Sequence, residues 1–207
     1  MKKRLYYIHD PMCAWCYAFA PTFETIKQNL GEDFEVIYIP GGLAPHTTEP
    51  MPQAMREKIE GFWYQITDVV GTKFNHDFWT KCTPRRSTYL SCQATIAARL
   101  QNKEYEMIGA IQGAYYQRAM NPSDEETLIT LAGELHLDVE KFTHDLSSQE
   151  VIEIFEEELN KRRKMYVNSF PTLLLQYKKE LYPINIEYNQ PEKMLAHIKD
   201  LSENIYF

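Results

Sequence analysis

The strongest constraint on how this chain folds is the order of its β-forming and helical runs. Residues 3–9 (Lys3-Arg4-Leu5-Tyr6-Tyr7-Ile8-His9) are rich in β-formers and end at the turn signal Asp10-Pro11. From Cys13 to about Leu30 the spacing is helical, and Gly31 stands just past the end, where a left-handed stop is wanted. Residues 34–39 (Phe34-Glu35-Val36-Ile37-Tyr38-Ile39) read as a second strand, closed by Pro40-Gly41-Gly42. A right-handed crossover makes these two strands parallel.

Residues 43–52, with Pro45, Pro50 and Pro52, read as a loop. From there to about Tyr166 the chain is almost wholly helical, with helices predicted over 52–70, 87–101, 104–120, 124–135, 138–145 and 148–166. Ser123 with Glu126, and Ser147 with Glu150, have capping-box spacing. Two strands follow, 172–177 and 181–186, joined as an antiparallel hairpin by Lys178-Lys179-Glu180. Pro183 lacks an N–H for the ladder, which puts the second at a sheet edge or in a bulge. A last helix runs from about Pro191 to Asn204. The order β-α-β, helices, β-β-α predicts an α/β protein: a thioredoxin fold split by a large all-helical insertion. Residues 1–45 and 167–207 would form the thioredoxin-like domain, and 46–166 the insertion.

The 207 residues suit one domain carrying an insertion. A formal net charge of -7 gives no support to nucleic-acid binding. No apolar run approaches the ~20 residues that cross a bilayer. After Met1-Lys2-Lys3-Arg4, only Leu5-Tyr6-Tyr7-Ile8 precedes the interruption by His9 and Asp10, so there is no signal-peptide core and a cytoplasmic location is expected. In that reducing compartment the four cysteines are catalytic, metal-binding or inert rather than structural bridges.

Cys13 and Cys16 enclose Ala14-Trp15 where the first strand gives way to the first helix. A thiol attacks a disulfide only as its thiolate. The first turn of a helix has unpaired N–H groups and the positive end of the macrodipole, both of which favour an anion. Cys13 is therefore placed to attack through a mixed disulfide and Cys16, one turn deeper, to resolve it. Two other readings stay open. The cysteines could simply pack, or they could hold zinc with two further ligands, from Cys82 and Cys92 or from scattered histidines. Nothing assigns a metal. Phe170-Pro171-Thr172 precedes the third strand. It is either an ordinary strand-start proline or, in the thioredoxin architecture, a cis peptide that faces the dithiol and offers the Phe170 backbone to an extended substrate.

Asp10-Pro11-Met12-Cys13-Ala14-Trp15-Cys16-Tyr17-Ala18-Phe19, the helical insertion, and Val167-Asn168-Ser169-Phe170-Pro171-Thr172 together resemble the DsbA-like branch of the thioredoxin superfamily. The resemblance is nearest to its FrnE-like predicted protein disulfide isomerases. It implies that Cys13 is the nucleophile, Cys16 the resolving thiol and Pro171 the cis-proline. The family often carries proline where this chain has Ala14, so a reduction potential does not carry over. A kappa-type glutathione transferase or isomerase shares the inserted architecture, but it uses a serine or a single nucleophile, and Cys16 argues against it. A zinc-holding binding module is the third alternative. Partners are expected to be protein or small-molecule thiols and disulfides, with glutathione as a co-substrate and no resident cofactor.

Neighbouring residues carry weaker expectations. Trp15 either contacts substrate or packs on the insertion. His9 and Asp10 flank the site; His9 either donates to the Cys13 thiolate or is a satisfied structural residue. Glu24 is read as solvated. Cys92 is expected to be a buried small hydrophobe and Cys82 a thiol in a cationic setting, with a second redox pair as the alternative. Arg85 and Arg86 either remain solvated or meet an acidic peptide or a glutathione carboxylate. Phe62-Trp63-Tyr64 and Tyr115-Tyr116 are read as core that also reaches the groove above the dithiol.

Overall fold

The computed structural model describes residues 2–204. Four strands, β1 (Lys3–His9), β2 (Phe34–Pro40), β3 (Thr172–Tyr177) and β4 (Glu180–Ile184), form one sheet in the order β2-β1-β3-β4. β1 and β2 are parallel, with Tyr7 opposite Tyr38; β3 runs antiparallel to both β1 and β4. The sheet thus joins the two ends of the chain, as the thioredoxin fold requires. Pro183 lies in β4 at the sheet edge, where a missing N–H leaves no ladder bond unmade.

Period-two alternation sends Leu5 and Tyr7 to one face and Tyr6 and Ile8 to the other. The first face is covered by α1 (Ala14–Asn29) and α9 (Pro191–Asn204), through Phe19, Phe23, Ile26, Met194 and Ile198. Fully burying a side chain such as Phe19 or Phe23 contributes roughly 1.5–3 kcal/mol. On the second face, Tyr6 and Ile8 pack with Ile39, Val167 and Leu174. Gly31 ends α1 at φ +88, the left-handed stop that its sequence position calls for.

The helices between β2 and β3 are α2 (Gln53–Val70), α3 (Phe78–Lys81), α4 (Tyr89–Arg99), α5 (Glu104–Tyr116), α6 (Glu125–Glu134), α7 (Val139–Leu146) and α8 (Gln149–Lys164). They bury their own core, which includes Trp63, Phe78, Cys92, Tyr116, Leu131 and Phe142, and Met12 enters it from the β1–α1 turn. The one-turn α3 was not expected. Its Phe78 and Trp79 are buried against Trp63, so tertiary packing holds a helix too short to stand alone. The caps also fall one residue later than the capping boxes predict. Ser148, not Ser147, caps α8 by accepting from the Val151 N–H at 3.2 Å, and Asp124 begins α6 while Ser123 donates to Ser87 O at 2.7 Å.

Polar contacts fix the helical block to the sheet. Arg99 forks onto Glu104 at 2.6 and 2.9 Å, reaches Glu158 at 2.6 Å and donates to Tyr38 O of β2 at 3.5 Å. Glu24 is not simply solvated: it accepts from the Tyr105 hydroxyl and pairs with Lys27 at 3.2 Å, so α1 is tied to α5.

Candidate active site

β1 ends at His9, and the Asp10-Pro11 turn carries the chain into α1. The Asp10 backbone carbonyl accepts from the Cys13 N–H at 3.0 Å, while its carboxylate accepts from the Met12 N–H at 2.8 Å. Cys13 becomes the N-cap of α1, with extended backbone (φ -87, ψ 118), and its carbonyl accepts from the Tyr17 N–H at 3.0 Å. Its side chain caps nothing and is available for chemistry. Both cysteines are free thiols, Cys13 8% exposed and Cys16 fully buried. The adjacent Cys16 thiol lowers the Cys13 pKa, against burial and with help from the Cys16 and Trp15 N–H groups. Burial raises Cys16 well above an ordinary thiol, and nearby Cys13 adds to this. The two thiols are split by depth: the outer one favours the anion and the inner one holds its proton.

The loop before β3 faces them. The Phe170–Pro171 peptide is cis. The Cys13 thiol donates to Phe170 O at 3.6 Å. The β1–β3 ladder ends at Thr172, so Phe170 lies beyond the paired strand. Its ring rests against the backbone of Gly41, where an added Cβ would lie 2.2 Å from the ring, and Arg162 sits 5.6 Å from the ring centre.

Over Cys13 lies a cavity of about 250 Å³, lined by residues from four regions. The dithiol turn supplies Met12, Cys13, Ala14 and Trp15; the loop after β2 supplies Leu43; the helical block supplies Ile59, Phe62, Trp63, Arg86, Tyr115 and Tyr116; the cis-proline loop supplies Asn168, Ser169 and Phe170. Trp63 and Tyr116 are at once fully buried core and cavity wall. Trp15 packs on neither of the surfaces weighed above alone: it lines the cavity, and its ring lies 5.2 Å from Tyr188, in the segment before α9.

His9 and Asp10 do not line this cavity. Neither ring nitrogen of His9 has a hydrogen-bond partner among the described residues, which corrects both expectations, donor to Cys13 and satisfied structural residue. On β1 it points the same way as Tyr7 and stacks on that ring at 5.0 Å. Burial, with the charge of Arg99, lowers its pKa to about 3, so it is neutral near pH 7. Asp10 is a buried brace. Besides Met12 N–H, its carboxylate accepts from the Leu43 N–H at 2.7 Å, the Thr88 hydroxyl at 2.7 Å and the Cys92 thiol at 3.5 Å. Burial still raises its pKa. Cys82 donates to Ala119 O at 3.0 Å, so the thiols of Cys82 and Cys92 turn to different partners and form no pair. Among the described residues no group of three or more His, Cys, Asp or Glu side chains is placed to hold a metal, and the zinc alternative finds no ligand set there.

Several lining residues escaped the sequence reading. Ile59 carries helical spacing, but spacing does not reveal what a helix face covers, whereas Phe62, Trp63, Tyr115 and Tyr116, read as core that reaches the groove, do line it. Leu43 lies in a proline-rich stretch with no periodicity at all.

A thioredoxin family profile matches residues 6–197. A curated relative, the ClpXP adapter protein SpxH of Halalkalibacterium halodurans, is 26% identical over 183 residues, covering 84% of this chain and 60% of that protein. The chain thus spans about 60% of that relative's length. Among solved structures, a candidate protein disulfide isomerase from Nitrosomonas europaea superposes with a TM-score of 0.85 at 26% identity, over 99% of this chain and 98% of the other. The cytosolic disulfide reductase DsbM from Pseudomonas aeruginosa superposes at 0.81 and 22% identity, over 97% and 99%, a likeness of fold; it has also been solved with GSH. No helix among the described residues is long and apolar enough to cross a membrane. The fold and the family match along nearly the whole chain agree: the chain belongs to the thioredoxin family.

Proposed function

We propose that the chain is a cytoplasmic dithiol–disulfide oxidoreductase, acting as a reductase or isomerase on protein or small-molecule disulfides. The observation that carries this reading is the Cys13 thiol, held at a helix N-cap and facing Phe170 O across the cis peptide. The Cys13 thiolate attacks a substrate disulfide and expels one substrate thiolate, leaving a mixed disulfide. Cys16, once deprotonated, attacks the Cys13 sulfur and releases the second substrate thiolate. Two electrons pass to the substrate, and a Cys13–Cys16 disulfide remains. Two equivalents of a thiol such as glutathione regenerate the dithiol by successive exchanges, the first forming a mixed disulfide with the protein and the second releasing the thiol's own disulfide; DsbM, whose structure has been solved with GSH, supports that choice. Trp15, Phe170 and Pro171 form the substrate-facing surface, and no resident cofactor is invoked.

Activity on a model disulfide should disappear in Cys13→Ala, while Cys16→Ala should accumulate mixed disulfides visible by mass spectrometry. Turnover retained in Cys13→Ala sinks the mechanism. The equilibrium potential of the pair then sets the direction: a value near ~-270 mV marks a reductase and one near ~-120 mV an oxidant. The curated relative supports a second reading, an adapter that docks proteins without redox turnover. A Cys13→Ser, Cys16→Ser double variant with full cellular function would favour it.

A further inference from the structure

Apart from Cys13 itself, the cavity has apolar and neutral walls with one exception, Arg86, the only cationic side chain among its described lining residues. Its neighbours are all committed. Arg85 donates to Ser123 O at 2.6 Å and pairs with Asp124; the Ser87 carbonyl accepts from Ser123; Thr88 donates to Asp10. The backbone is thus fixed on both sides of Arg86, whose own guanidinium makes no hydrogen bond or ion pair among the described residues. A half-buried cation without a counter-ion loses part of its hydration. This chain has 29 acidic residues against 22 basic ones, yet among the described residues none forms an ion pair with Arg86.

We propose that Arg86 recognises a carboxylate of the substrate, so that the small molecules exchanged at Cys13 are anionic peptide thiols and their disulfides. The proposal rests on the dithiol reading above and names the substrate class for that site. At about 250 Å³ the cavity falls below the roughly 300–1,000 Å³ of pockets that enclose a whole small ligand. It accommodates the cysteinyl side chain and one adjoining residue of such a peptide, with sulfur at Cys13 and that residue's carboxylate at Arg86, and leaves the remainder outside. A planar guanidinium suits the task because it binds a carboxylate through two parallel N–H bonds.

The test is the rate at which the pre-reduced protein is oxidised by glutathione disulfide (anionic), 2-hydroxyethyl disulfide (neutral) and cystamine (cationic). Relative to the neutral disulfide, the preference for glutathione disulfide should fall about tenfold in R86Q, as expected for a lost charged hydrogen bond. It should be only partly retained in R86K, which keeps the charge but not the paired N–H bonds, and reverse toward cystamine in R86E. Unaltered ratios in R86Q, or equal losses with all three disulfides, overturn the proposal. A wild type that none of the three oxidises defeats the dithiol reading instead. Arg86 is then judged by calorimetric binding of S-methylglutathione, which R86Q should weaken about tenfold; equal binding to both proteins overturns its role.

Discussion

The bare Cα of Gly41 is the surface on which the ring of Phe170 rests: a Cβ there would stand 2.2 Å from two of the ring carbons. Gly41 follows β2 directly, and Phe170 carries the carbonyl that faces Cys13. A glycine near the sheet end therefore sets where the cis-proline loop lies over the dithiol.

Gly41→Ala should push the Phe170 ring away and the loop with it. Overpacking of this kind costs roughly 1–3 kcal/mol. We expect a lower denaturation midpoint together with slower mixed-disulfide formation. Gly61→Ala is the control, since a Cβ within α2 meets nothing within 4 Å and should stabilise the helix by roughly 0.5–1 kcal/mol. Equal stability of the Gly41 variant and the wild type would show that Phe170 is free to shift.

The neighbouring Cys16 thiol is the largest influence lowering the Cys13 pKa. Cys16→Ala removes that donor and should move the pH dependence of Cys13 alkylation upward. Cys16→Ser keeps an O–H in place and should leave it nearer the wild type. Superimposable alanine and serine profiles would shift the credit to the helix N-terminus alone.

His9 gives the fold an acid-sensitive element. Its pKa is about 3 when folded against 6.5 for the free side chain, so below about pH 6.5 the unfolded chain binds a proton that the folded chain refuses. Stability from this residue is intact above that value and drains away as pH falls toward 3, at up to ~1.4 kcal/mol per pH unit. His9→Leu should flatten the acid limb of a stability–pH curve by about one proton. Because neither ring nitrogen has a partner, stability near pH 7 should change little or rise. Parallel acid limbs in the two proteins would refute this assignment.

Arg99 is the joint between helices and sheet, with Glu104 and Glu158 as its carboxylate partners. Arg99→Met leaves two shielded carboxylates facing each other. Breaking a fully buried pair costs roughly 3–5 kcal/mol; with 31% of the Arg99 side chain still exposed, we expect the lower end of that range or less. Adding Glu104→Gln and Glu158→Gln should restore much of the loss in chemical denaturation. A triple variant as unstable as the single one would mean that packing of the Arg99 stem, not charge, carries the joint.

Much of the fold was legible in the sequence because it is written in local patterns. The β-forming run of residues 3–9, the stop at Gly31, and Pro183 at an edge each follow from the chemistry of a few adjacent positions. The errors came where contacts distant in sequence decide. Trp63 holds the short Phe78–Lys81 helix, and the true caps, Asp124 and Ser148, lie one residue past the sequence motif.

The same division holds at the candidate site. That Cys13 and Cys16 share the start of a helix after a strand is written in the chain, since a separation of three residues is nearly one helical turn. What surrounds them comes from folding: Phe170 O beside Cys13, Asp10 taken up by Thr88 and Cys92, His9 turned away into the aromatic layer, and Arg86 left facing the cavity while Arg85 is tied down. The reason is physical. A dithiol's spacing is set by covalent chain geometry, whereas its environment is set by burial and hydrogen bonding between segments that meet only when the chain is folded.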